Sequence, residues 1–455
     1  MHAPMRYGRA LSQPYTLPFA RTTTLHNVIQ RKEATMSDTH THTTAPHTDD
    51  ATNAQADTSS NTERAYEALF SRNNVSAATR SHALTRRNFL GATLAGLSVV
   101  SLGALAGCAG NKPAPSKEPE KKAADPKKTT WEFTDQIDQK VSVQIPVERM
   151  VVLQHHSIDI LAQLGAQKKV IAVEKNWEKD LGGYIKDVFP GIASLPNPGS
   201  LSDWNVETIA SLKPDVVIAA SQANPKAMKQ IRDLGIPVCV VSLRAEGKQQ
   251  EAQNPRLSNA DAAYTNGCKW AVETLGKLTG TSDKANLLWK FCKESRDQVE
   301  RAIGSIDDAK RTKVFVACPD NKTYGNDKYV GCQLLRAGAI NVAAKDIQGY
   351  KPYTFEMLAK WDPDMIIVQD RYKSVYDAIL VSKPHQQLKA VKNKKVVLAP
   401  YWTKPWGNPD ADSIALGELW LAHIFYPEKI SKDLVLERAK AFYKTFYGTD
   451  FKGTM

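Results

Sequence analysis

Two adjacent histidines, His155 and His156, follow directly on the apolar run Val151-Val152-Leu153 of this 455-residue chain. Imidazole is a common donor to iron, cobalt or a bare metal ion. Sequence neighbours point in different directions, so one ion held by both rings is not expected, and either ring also suits capping the helix that begins near Ser157. Arg244 and Arg371 likewise stand after apolar runs and suit anionic groups such as carboxylates or catecholates. Trp177, Gln222, Tyr324, Tyr372, Tyr401, Trp402 and Trp406 are placed similarly. Such side chains suit a large, flat or hydrophobic-rimmed ligand.

Other chemistries find less support. There is no phosphate-cradling glycine loop, no Gly-x-Ser-x-Gly and no His-Glu-x-x-His, and the acids lack a defined partner base. Besides Cys108 there are Cys239, Cys268, Cys292, Cys318 and Cys332, an odd number without Cys-x-x-Cys spacing, which argues against a zinc or iron–sulfur centre. A Cys318–Cys332 disulfide and buried free thiols are both open. The net charge of +12 comes partly from a lysine-rich segment, and no basic stripe with interleaved aromatics follows it, so nucleic acid is not an expected partner.

The elements that must position these residues lie in 131–455, a stretch suited to two domains of about 150 residues. Short β-branched runs at 151–153, 170–173, 216–219, 238–241, 314–317, 365–368 and 396–398 alternate with amphipathic helical stretches, the pattern of parallel α/β layers. The two halves share a phrase. Residues 205–218, with Glu207 and Pro214-Asp215, correspond to 353–367, with Glu356 and Pro363-Asp364: a short helix, a Pro-Asp turn and a buried strand. Between them, Leu287, Leu288, Phe291, Val299 and Ile303 fall at helical spacing in 283–306. The expected architecture is therefore α/β, with two lobes, each built on a mostly parallel sheet, at 131–282 and 307–455. One long helix, 283–306, joins them, and a ligand cleft lies between, reached by loops at the carboxyl ends of the strands.

Upstream, Arg86-Arg87 precedes the uncharged run 89–107, which resembles a twin-arginine export signal, assigned to 85–107. The run ends in Leu105-Ala106-Gly107-Cys108, similar to a bacterial lipobox, so Cys108 is the expected lipidation site and mature N-terminus. Residues 108–130, rich in Lys and Pro, read as a tether, and 1–84 as a polar, disordered leader in which Met36 is a candidate true start.

From Phe133 onward the chain resembles the iron-siderophore, haem and vitamin B12 class of ABC-transporter substrate-binding proteins. The resemblance rests on Glu148-Arg149-Met150-Val151-Val152-Leu153, Leu161-Ala162-Gln163-Leu164-Gly165-Ala166, Ser211-Leu212-Lys213-Pro214-Asp215, Gly235-Ile236-Pro237-Val238, Ala337-Gly338-Ala339-Ile340-Asn341 and Leu416-Gly417-Glu418-Leu419-Trp420. It implies a binding protein and not an enzyme, with no cofactor of its own. Glu207 and Glu356 would dock on arginines of a permease dimer that works with a cytoplasmic ATPase. The cargo would be an iron or cobalt chelate (ferric siderophore, haem or a cobalamin-like ligand), with a small oxoanion also open. Tyr324, Tyr372 and Tyr401 are then rivals to the histidines as axial ligands. The location would be the extracytoplasmic face of the cell membrane, through the lipid anchor. The competing classes are a metal-chelate-handling enzyme of related bilobal fold and a ligand sensor for a membrane signalling protein.

Overall fold

The computed structural model describes residues 128–247 and 254–455. Cys108, the export signal, the leader and nearly all of the tether lie outside the described residues.

The chain enters through an antiparallel pair that the strand runs did not anticipate, β1 (Thr129–Thr134) and β2 (Lys140–Ile145). Its turn carries Asp135 and Gln136, whose side chains hold the far edge of the first sheet. That sheet is parallel and contains β3 (Met150–Leu153), β4 (Val170–Val173), β5 (Val216–Ala220) and β6 (Val238–Val241) in the order β4-β3-β5-β6. β3, β5 and β6 are buried throughout, which is why they read as unbroken Val/Ile/Ala runs and not as alternating ones.

The second sheet repeats the plan with β7 (Thr312–Ala317), β9 (Ala339–Asn341), β11 (Met365–Gln369) and β12 (Val396–Ala399), in the order β12-β11-β7-β9. Numbered within each lobe, both sheets run 2-1-3-4. A small antiparallel pair, β8 (Lys322–Tyr324) with β10 (Tyr350–Pro352), is added to the second lobe.

The phrase shared by the two halves has a physical function in each. Asn205 caps the helix Val206–Ser211 by accepting from Thr208 N, and Thr354 caps Phe355–Trp361 by accepting from Met357 N. The Asp of each Pro-Asp turn then reaches the neighbouring strand. Asp215 Oδ2 accepts from Glu148 N (2.7 Å) and Arg149 N (3.0 Å) ahead of β3, and Asp364 Oδ2 accepts from Lys313 N (2.9 Å) in β7. Each Asp thus ties the start of one parallel strand to the start of the next.

The connecting helix is Ser282–Ile303, ending at Gly304 short of the expected 306. It packs along a second helix, Ala260–Thr279, which carries Cys268. A Cβ on Gly276 would lie 2.5 Å from the Ala285 Cβ, so the small residues let the two backbones approach closely. The end of the chain, expected wholly in the second lobe, returns to the first. Lys284 Nζ donates to Phe446 O (3.0 Å), and Tyr447 OH donates to Asp159 Oδ1 (2.9 Å).

Behind the cleft these elements converge on one buried cation. Lys404 Nζ pairs with Asp159 from the first lobe, with Asp410 (3.3 Å) and with Asp412 (2.6 Å), and all four side chains are fully buried. Burial opposes the charge on Lys404, but the three carboxylates outweigh it and hold its pKa well above the ordinary lysine value. One ammonium cannot balance three carboxylates. Burial accordingly pushes Asp410 and Asp412 well above the usual carboxylate range, with Lys404 opposing. Removing one member of such a cluster strands a buried charge. Lys404→Met is expected to destabilise the protein by about 3–5 kcal/mol, read as a lower midpoint in chemical denaturation; an unchanged midpoint would show that the cluster carries no such weight.

Candidate functional site

At the carboxyl ends of β3, β5 and β6 lies a pocket of about 350 Å³ including its open mouth. It is lined by Gln154, His155 and His156 after β3, by Ala220, Ser221 and Gln222 at the end of β5, by Val241, Ser242 and Arg244 after β6, and by Leu201 and Asn408. Asn408 alone comes from the second half of the chain. The lining is small and polar, with a single guanidinium.

Arg244 is 1% exposed and is placed by three neighbours. Gln136 Oε1 accepts from Ser242 N (2.8 Å) and Leu243 N (2.9 Å), while its Nε2 donates to Gly267 O (3.0 Å). Leu243 is held at φ 60°, a left-handed conformation that costs a non-glycine residue roughly 1–3 kcal/mol and turns the chain sharply into the pocket. Gly267 presses on this turn so closely that a Cβ there would overlap the Arg244 backbone. The arginine is therefore set by buried backbone contacts and not by a flexible loop.

The two histidine rings do not point apart but lie 4.3 Å from each other, centre to centre, with their nitrogens facing different carboxylates. Helix capping falls to neither, because Gln154 Oε1 accepts from Ser157 N (2.5 Å). His156 Nδ1 lies 3.2 Å from Asp410 Oδ2 and so joins the Lys404 cluster, while the Trp406 ring meets its edge at 5.6 Å. His155 Nδ1 faces Asp180 Oδ2 at 3.9 Å, too far for a hydrogen bond. Burial lowers both imidazoles, with Lys404 and Arg371 adding to the effect: His155 is well below the usual value and His156 is at about 3. Both rings are neutral at physiological pH. Burial, then Arg244, lowers Lys328 to about 8, so this ammonium is still charged near neutrality. Arg244 lines the pocket and Lys328 stands close enough to feel its charge, so neutral donors sit beside positive charge, a setting for an anion.

Of the residues proposed from sequence, His155, His156, Gln222 and Arg244 line the pocket and the rest do not. Arg371 bridges instead: Nη1 donates to Asp180 O (2.6 Å), Nε donates to Gln369 Oε1 (2.8 Å), and the guanidinium lies 4.3 Å from the Trp406 ring centre and 5.1 Å from that of Tyr372. Tyr324 is buried and stacks on Tyr350 at 4.7 Å. Tyr401 stacks on Tyr184 at 5.1 Å. Trp177 is buried at the start of its helix, and Trp402 faces the end of the chain, packing on Phe451 and donating from Nε1 to Thr454 O (3.1 Å). These rings bury one another, so the broad aromatic wall expected for a flat ligand does not form.

Ser242 was overlooked, although its place two residues before Arg244 at the end of β6 was a usable signal. Asn408 had none. The cysteines are simpler: Cys239, Cys268, Cys292, Cys318 and Cys332 are all buried and free, so no Cys318–Cys332 bridge forms. Glu207 and Glu356 are both exposed in the first turns of their helices.

Two similar lobes, a pocket at the strand ends and a helical connection define the class of extracytoplasmic solute-binding proteins that serve ABC importers. The chain belongs to the periplasmic binding protein family, whose pattern matches residues 150–401. It is 37% identical over 322 residues to the molybdate-binding protein MolA of Haemophilus influenzae, covering 70% of this chain and 92% of that one. It is 28% identical over 303 residues to YvrC of Bacillus subtilis, an uncharacterized ABC transporter substrate-binding lipoprotein, covering 64% of this chain and 84% of that one. The solved structure of MolA bound to molybdate aligns with a TM-score of 0.68 at 36% identity, over 71% of this chain and all of that one. Among the described residues no helix is long and apolar enough to cross a membrane.

Proposed function

We propose that this protein captures a small tetrahedral oxyanion of the molybdate type and delivers it to an ABC importer. The observation that carries the reading is Arg244, a buried arginine whose backbone is set rigidly at the edge of a small polar pocket with Ser221, Ser242, Gln222, Asn408 and two neutral histidines. Such a ring offers N–H and O–H donors around one positive charge, which an oxyanion satisfies in several directions at once. The similarity to a molybdate-binding protein over most of both chains supports the same ligand class. An iron or cobalt chelate, favoured by the sequence alone, needs a wide aromatic cleft. Here Trp402 and Trp406 are sealed and Tyr324 is buried. Retention would come from a lipid on Cys108, and recognition by the permease from Glu207 and Glu356, one on each lobe.

Calorimetric titration with molybdate is the direct test. Arg244→Ala is expected to weaken binding by about 10–100-fold, the scale of one charged hydrogen-bonding group. The pH profile has a defined sign. The histidines stay neutral above their lowered values, so affinity is level from about pH 6 to 7.5. Lys328 loses its proton through about 8, and affinity then falls as its positive charge disappears. Absence of molybdate binding in the wild type, alongside tight binding of a ferric siderophore, would reverse the assignment.

Docking is tested separately. Glu207→Lys with Glu356→Lys should leave calorimetric affinity unchanged while reducing uptake through the importer, since exposed charges mainly set encounter rate and register. Equal loss of affinity and uptake would remove the docking role.

A further inference from the structure

A second group of donors adjoins the oxyanion pocket and shares His155 with it. Glu174 follows β4, Asp180 lies in the helix Trp177–Leu181, and His155 begins the helix after β3. One ligand atom from each lies within 4.8 Å of the others. Glu174 is fully buried, yet its Oε1 has no hydrogen-bond partner, and Oε2 accepts from Asn176 N (2.7 Å). The buried His155 Nδ1 is likewise without a partner. Burying two such atoms unmet is costly, which is the mark of a place built to take a ligand between them. Burial pushes the Glu174 carboxyl up to about 7, with the Asn176 N–H opposing and Asp180 adding.

We infer that His155 Nδ1, Glu174 Oε1 and Asp180 Oδ2 form a binding site for one divalent first-row transition cation. Bonds of about 2.0–2.2 Å to nitrogen and oxygen put neighbouring donors of a tetrahedral ion roughly 3.4 Å apart. His155 and Asp180 stand at 3.9 Å and the three donors within 4.8 Å of one another, so side-chain rotation has to draw them in around the ion. One imidazole with two carboxylates is a donor set for Co²⁺, Ni²⁺ or Zn²⁺ more than for Mg²⁺ or Ca²⁺. Asp180 keeps 27% and His155 14% of its side-chain surface, while the donor atoms His155 Nδ1 and Glu174 Oε1 are themselves buried. The other acidic group of similar size, Asp159 with Asp410 and Asp412, already holds the Lys404 ammonium and offers no such vacancy. Arg371 is the nearest opposing charge, but its Nη1 is directed to the Asp180 carbonyl. Because the site shares His155 with the oxyanion pocket, the cation is titrated alone, so that failure of this inference and failure of the oxyanion reading are told apart.

The test is a titration of the full chain with Co²⁺ in the absence of any oxyanion, followed by visible ligand-field absorption and calorimetry, with Ni²⁺ and Zn²⁺ as further probes. One bound cation is expected. Glu174→Gln and Asp180→Asn should abolish that event, and His155→Ala should weaken it by at least about tenfold. Glu174→Gln keeps an acceptor for Asn176 N, so the variant is expected to fold, which its melting curve checks. The leader also carries three closely spaced histidines, His40, His42 and His47, and any cation they bind would appear as an event that none of the three substitutions alters. If none of the three metals gives an event that Glu174→Gln removes, the site is only a protonated carboxyl beside an imidazole, and the inference is overturned.

Discussion

The ammonium of Lys404 is the interaction on which the arrangement depends. Its partners come from both ends of the fold: Asp159 from the first helix of the first lobe, and Asp410 and Asp412 from the loop that returns from the second. In a low-dielectric interior each partner that such a cluster finds counts heavily. Tyr447 and Gln163 donate to Asp159 and His156 meets Asp410 Oδ2, while Asp410 Oδ1 and Asp412 Oδ1 are buried without a hydrogen-bond partner. The network therefore fixes the two halves against each other and, through His156, fixes one wall of the pocket. A purely apolar contact of the same area would stabilise as well, but it would not specify this single alignment so narrowly.

The same charges shape the chemistry in front of them. Lys404, Arg371 and burial together keep the histidines neutral, so the pocket presents N–H donors without imidazolium charge. Its positive charge comes instead from Arg244, whose position follows from the Gln136 clamp, the left-handed turn at Leu243 and the absence of a side chain at Gly267. Each lies far from Arg244 in sequence or carries no charge, yet each bears on where the guanidinium sits. Rigid placement of a few polar groups is what selects a small ligand over a large one.

Much of this was legible in the residues. The Val/Ile runs marked the parallel strands because buried parallel sheets leave no polar face. The phrase around Glu207 and Glu356 marked the duplicated lobe because each copy needs the same cap and the same Asp between strand starts. His155, His156, Gln222 and Arg244 were found by the rule that ligands sit at the carboxyl ends of strands. What was missed has physical causes. Asp159, Lys404, Asp410 and Asp412 look like ordinary surface charges and become a cluster only when residues some 250 positions apart fold together. Trp402 and Tyr401 sit at a strand end as expected, but the returning chain supplies Phe451 and Tyr443, and the rings turn toward them and away from the ligand.

The central claim is that a small oxyanion sits against Arg244 in the first-lobe pocket. Crystals grown with molybdate and measured at the molybdenum absorption edge would locate the metal atom by its anomalous signal. A single strong peak within hydrogen-bonding reach of the Arg244 guanidinium and the hydroxyls of Ser221 and Ser242 is the predicted result. An empty pocket, or a peak lying elsewhere on the molecule, would contradict it.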